Sequence, residues 1–97
     1  MRVTLSEAAD ADIAEILSYS IASHGRAAAE IYVGGIKRAS ELLIDHPAAG
    51  VAHPDIDPLV RSLPYRAHRL YYQIEPERIL VLRVLHRSMD AARWLNE

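Results

Sequence analysis

The 97-residue sequence predicts an α+β fold: an N-terminal strand, an antiparallel helical hairpin, and an antiparallel sheet with a three-stranded C-terminal meander. Three observations carry this expectation. Residues 59–86, LVRSLPYRAHRLYYQIEPERILVLRVLH, are three apolar-rich runs with short breaks between them. Short connections force antiparallel neighbours, because a parallel crossover needs a dozen residues or more. Upstream, two stretches of helical period are joined by about two residues, which makes them an antiparallel hairpin. Helices followed by strands, rather than alternating with them, is the pattern of an α+β domain. A chain of this length forms one domain, residues 1–97.

Residues 2–5 are β-prone and read as an edge strand. Ser6 stands where an N-cap belongs, and Glu7 and Asp10 favour the positive end of the helix dipole. The first helix is expected to run to about Ser23, with Ala9, Ile13, Ile16, Leu17 and Ser20 on one stripe. His24-Gly25 ends it. The second helix is expected over residues 26–45, with Ala28, Ile31, Tyr32, Gly35, Ala39, Leu42 and Leu43 as its buried stripe. Gly34-Gly35 in mid-helix costs roughly 1 kcal/mol per glycine against alanine. A close crossing with the first helix, near Ala14 and Ser20, is the expected return. His46-Pro47 stops the helix, and PAAGVAHPDIDP reads as an ordered loop.

The meander strands are expected at 59–63, 67–75 and 78–86, with Pro64-Tyr65-Arg66 and Pro76-Glu77 as breaks. Alternation puts His68, Leu70, Tyr72 and Ile74 on one face of the middle strand and Arg69, Tyr71 and Gln73 on the other. In the last strand Leu80, Leu82 and Val84 alternate with Ile79, Val81, Arg83 and Leu85. The uncharged set, Leu80, Leu82 and Val84 with Leu70 and Tyr72, is expected beneath Ile13, Leu17, Ile31 and Leu42. The other face mixes aliphatic residues with arginines and needs a cover. Trp94 and Leu95 are expected either to plug that face or to stand exposed as a contact.

With no cysteine, disulfides, thiolate metal sites and cysteine nucleophiles are excluded. The five histidines form no zinc spacing, and no glycine-rich phosphate loop occurs. No metal or cofactor is expected. No apolar run reaches the roughly 20 residues that span a bilayer, and the first residues lack a signal-peptide core; a cytoplasmic protein without membrane contact is expected. The net charge of −2 is unevenly spread. Residues 1–58 carry four basic and nine acidic side chains; residues 59–97 carry seven basic, all arginine, and four acidic. Arginine suits forked contacts to carboxylates, so the C-terminal half is expected to meet an acidic partner.

With these residues in place, the chain resembles the ParE branch of the RelE/ParE toxin superfamily. The matching segments are LSEAADADIAEILSYS, LLIDHPAAG, VRSLPYRAHRLYYQI and ILVLRVLHRSMDAARWL. The strongest is VLHRSMDAARWL, which looks like the family's strand-end signature. The resemblance implies a RelE/ParE-like fold and the toxin half of a bacterial toxin–antitoxin pair. ParE-type members are associated with inhibition of DNA gyrase. They are neutralised by a ParD-like antitoxin whose acidic C-terminal segment wraps the toxin, and operator DNA is met only through that antitoxin. On this reading Arg61, Arg69, Tyr71, Arg83 and Leu85 face the antitoxin, and Arg87, Met89, Asp90, Arg93 and Trp94 face gyrase. The tail 87–95 is then needed for toxicity but not for folding.

The alternative is a RelE-type ribosome-dependent mRNA endoribonuclease. Metal-free RNA cleavage needs a proton carrier and cations at the phosphorane, for which His86, Arg69, Arg83 and Tyr71 are the candidates. Against it, Met89 and Asp90 stand where such an enzyme would offer a further ring donor, and Lys37 is the only lysine. A structural His86, bonded to Asp90 or a carbonyl, is the plainer expectation, with Asp90 and Arg93 as a local ion pair. A third possibility is an inert scaffold that keeps only antitoxin binding.

Overall fold

The computed structural model describes residues 1–96. The chain forms β1 (Arg2–Leu5), α1 (Glu7–His24), α2 (Arg26–Asp45), a 3-10 turn (Pro47–Ala49), β2 (Val51–Ala52), β3 (Arg61–Tyr65), β4 (His68–Ile74), β5 (Arg78–His86) and α3 (Ala91–Leu95). The sheet order is β1-β5-β4-β3-β2. The meander is antiparallel throughout, whereas β1 runs parallel to β5, with Arg2 beside Arg78 and Leu5 beside Val81. The sheet is therefore mixed, because the helical hairpin carries the chain back across its face.

Ser6 caps α1 as its sequence position implies: its hydroxyl accepts from the Ala9 N–H at 3.0 Å. The same hydroxyl donates to the Leu82 carbonyl at 2.7 Å, which ties the start of α1 to β5. Gly25 takes φ 86, a value that favours glycine, and turns the chain directly from α1 into α2.

The helices cover one face of the sheet. Ala9, Ile13, Ile16, Val33, Ile36 and Leu43 pack on Leu70, Tyr72, Ile79, Val81 and Val84. Two expected registers are corrected here. In α2 the buried residues are Ala29, Val33, Gly35, Ile36, Ser40 and Leu43, so the stripe is rotated by about one position. Ile31 and Leu42, expected in the core, are 66% and 62% exposed. In β5, Ile79 and Val81 are fully buried against the helices, while Leu80 and Leu82 are only half-buried. The cause is a β-bulge. Tyr71 pairs with Arg83 but Tyr72 pairs with Val81, so Leu82 is the extra residue and the alternation resets across it.

Gly35 also has a different reason from the one expected. A Cβ there would collide with the ring and hydroxyl of Tyr65, so the close approach is of α2 to the sheet and not of α2 to α1. Pro64, expected in a break, lies inside β3. It sits past the two residues paired with β2, where β3 is an edge strand and a missing donor is tolerated. The turn is Arg66-Ala67, and Arg66 has φ 51.

Tyr72, with no exposed surface, anchors the proline-rich loop. Its hydroxyl donates to the Pro47 carbonyl at 2.6 Å and accepts from the Gly50 N–H at 2.9 Å. On the opposite sheet face Val60, Tyr71 and Leu85 form a second buried cluster. Leu82, Met89, Ala91, Trp94 and Leu95 pack against it. The tail thus packs on this cluster with partly buried side chains: of the two expectations for Trp94, the structure matches the plug.

Candidate functional site

A concavity of about 680 Å³ opens between the tip of the helical hairpin and the end of the sheet. Ile16 and Tyr19 of α1, with Ala28, Ile31 and Tyr32 of α2, form its helical walls. The Tyr65-Arg66-Ala67 turn, His68, Val84 and His86 line the sheet side, and Met89 and Trp94 come from the tail. Tyr19 and Ile31 are 72% and 66% exposed, so this is an open apolar groove. No helix among the described residues is long and apolar enough to cross a membrane. Nor do those residues contain a group of three or more His, Cys, Asp or Glu that could hold a metal ion.

A ring cluster sits in the groove. His68 and His86 are cross-strand partners at the ends of β4 and β5, with centroids 5.4 Å apart and planes at 84°. The Tyr32 hydroxyl lies 2.7 Å from His68 Nδ1. Tyr32 also meets the Tyr65 ring edge-on at 5.4 Å. Burial, and then the proximity of His86, hold His68 below the usual imidazole range, opposed by Asp12. Burial pushes the Tyr32 phenol up, against the Ala67 backbone and the nearby Arg66 and Arg87 charges. His86, expected to bond Asp90 or a carbonyl, instead accepts from the Ser88 N–H at 3.1 Å, with the Ser88 hydroxyl 2.7 Å away.

Arg83 joins three elements. Its Nε and Nη2 each lie 2.8 Å from an oxygen of Asp12 on α1, a forked pair with side chains 17% and 12% exposed. Its Nη1 donates to the Trp94 carbonyl at 3.2 Å, and its guanidinium lies 5.5 Å from the Trp94 ring centroid. Asp12 also accepts from the Val84 N–H at 2.9 Å. The bulge is what lets one strand hold Val84 towards the helices while Arg83 reaches both α1 and the tail.

The residues singled out in the sequence therefore scatter. Arg69 and Tyr71 lie on the sheet face opposite His86, and Arg83 is engaged by Asp12, so the four candidate catalytic side chains do not converge. Tyr71 and Leu85 are 6% and 2% exposed, in the second cluster. For Tyr71, burial raises the phenol pKa, against the nearby Arg69 charge. Arg61 donates to the Gly50 carbonyl at 2.9 Å and helps to hold the loop. In the tail, Arg87, Asp90 and Arg93 are exposed, whereas Met89 and Trp94 are half-buried. Among the described residues no ion pair joins Asp90 to Arg93. The groove residues that the sequence did not single out are Asp12, Tyr19, Ile31, Tyr32 and His68. Their signal is weak: the expected α2 stripe takes both Ile31 and Tyr32 into the core, where Tyr32 packs at its edge and Ile31 is exposed.

Comparison with known proteins follows the same architecture. Residues 3–91 match the family model for the ParE toxin of the type II toxin–antitoxin system parDE. The chain is 35% identical over 95 residues to Toxin ParE1 of Mycobacterium tuberculosis, covering 97% of each. It is 30% identical over 92 residues to Toxin ParE1 of Caulobacter vibrioides, covering 95% of each. Among solved structures it resembles a chain of the chromosomal ParDE system from P. aeruginosa, with TM-score 0.78, 22% identity, and 89% and 95% of the two chains covered. It also resembles a chain of the RelBE2 toxin–antitoxin complex from M. tuberculosis, with TM-score 0.59, 24% identity, and 89% and 96% covered. At these identities the two structures speak to the fold.

Proposed function

This chain belongs to the ParE toxin family of type II toxin–antitoxin systems, and on that premise we propose that it arrests growth by binding DNA gyrase without catalysis of its own. The observation that carries the non-catalytic reading is the divergence of His86, Arg69, Tyr71 and Arg83: two lie across the sheet from His86, and the third is forked onto Asp12. A proton carrier and its supporting cations must share one site to cleave RNA. The exposed Arg87, Asp90 and Arg93, mounted on a tail fixed by Trp94, form the surface for gyrase.

The neutralising partner is a ParD-like antitoxin in the cytoplasm, and operator DNA is reached only through it. The apolar groove between the hairpin tip and the sheet end takes the apolar side of the antitoxin's acidic C-terminal segment. This replaces Tyr71 and Leu85 as principal contacts, since both are buried; Arg69 remains a flanking cation on the far face. Inducing the chain alone and scoring DNA breaks against mRNA cleavage tests the target. DNA breaks with intact messages are expected. Codon-specific message cleavage without breaks would transfer the assignment to the ribonuclease.

A further inference from the structure

We propose that the His68–His86 pair is a carboxylate-binding site that anchors one acidic side chain of the antitoxin segment and takes up a proton as it does so. This rests on the toxin–antitoxin reading and adds a contact and a linkage to it. The geometry begins with the two rings, edge to face at 5.4 Å at the end of the groove. His68 Nδ1 is bonded to the Tyr32 hydroxyl and His86 Nδ1 faces Ser88, so the Nε2 atoms are the ones left to meet a ligand.

The charges facing the pair are unequal. From the β3–β4 turn comes Arg66, and from the end of β5 comes Arg87; both act on neighbouring Tyr32. From β3 and α2 come the rings of Tyr65 and Tyr32. From α1 come Asp12, Glu15 and His24. Asp12 is committed to Arg83 and the Val84 N–H. Among the described residues no carboxylate lies within ion-pair distance of either imidazole. Arg66 and Arg87 stand near the pair, the wall beside it is apolar, and neither Asp12 nor Glu15 of the lining is paired to an imidazole. An acidic segment with an apolar side complements both halves.

The linkage follows from electrostatics. Burial and the second imidazole oppose protonation of His68 in the free chain. A carboxylate placed against the pair favours the charged form and raises the imidazole pKa in the complex. A group whose pKa is raised on binding strengthens the complex below its free pKa. That gain is lost as pH rises through its bound pKa. Affinity should therefore rise about tenfold from pH 7.5 to pH 6, the scale set by uptake of one proton.

The test uses the full chain and the ParD-like antitoxin proposed as its partner. The dissociation constant is measured from pH 5.5 to 8 for wild type, His86→Gln, and the double variant His68→Gln/His86→Gln. Because His86 is exposed, its single variant keeps the test readable if the double variant folds poorly. The expected result is a wild-type pH dependence of about tenfold, reduced in the single variant and abolished in the double variant. Tight binding with no pH dependence overturns the proposal and leaves the toxin–antitoxin reading standing. So does a dependence that survives in the double variant, which puts the titrating group elsewhere. No binding at any pH overturns both. Self-association of the free chain that rises below pH 6.5 and vanishes in the variants would place a second copy in the groove, and that too overturns the choice of occupant.

Discussion

Tyr72 shows how one hydroxyl can hold a loop in place. Its ring is buried in the helical-side core, and its oxygen bonds both Pro47 and Gly50 across more than twenty residues of sequence. Gly50 is glycine because a Cβ there would meet the Tyr72 hydroxyl at 2.6 Å and the Ser62 carbonyl at 2.7 Å. Tyr72→Phe keeps the ring and leaves the buried Gly50 N–H and the Pro47 carbonyl without that partner. It should cost about 1–3 kcal/mol, the penalty of orphaned polar groups. Denaturant midpoints measure this; a loss below about 0.5 kcal/mol would mean that water replaces the hydroxyl. Neither bond was legible in the sequence, where Tyr72 registers only as an apolar position in an alternating strand.

At the scale of elements, the limits of β5 and α2 and the cap of α1 were legible, because caps, glycine and proline act locally. What alternation could not reveal was the bulge. A single extra residue at Leu82 exchanges the faces of everything before it, and nothing in ILVLRVL marks where the extra residue falls. A sharp comparison follows. Ile79→Ala removes a fully buried side chain and should cost about 2–5 kcal/mol. Leu82→Ala, half-buried against the second cluster, should cost roughly 1 kcal/mol, as partly buried sites do. Equal losses in thermal or chemical melts would argue for continuous alternation through the strand. The α2 stripe failed for a related reason: alanines and glycines let several neighbouring faces satisfy one hydrophobic pattern, and the fit of Gly35 against Tyr65 selected among them.

Across the whole molecule, the sheet is covered on both faces, by the hairpin on one and by the short tail on the other. Trp94 is held by packing and by Arg83, so Trp94→Ala should lower stability by about 2 kcal/mol, roughly half the loss at a fully buried tryptophan. Truncation before Arg87 would then confound toxicity with folding. The cleaner variant is Arg87→Glu with Arg93→Glu, both exposed. It should leave stability within about 0.5 kcal/mol and weaken growth arrest, read together by melting curves and colony counts. Undiminished killing by a folded double variant would remove the tail from the target surface. The pairing of β1 with β5 has a consequence in time. The Ser6 hydroxyl and the Leu82 carbonyl that it bonds are 76 residues apart, and Leu5 lies beside Val81. β1 lies at the sheet edge and has no strand neighbour until β5 has been made. A chain interrupted before β5 leaves β1 unpaired and the helical hairpin without the strand on which it packs, so the fold is complete only once that strand has been made.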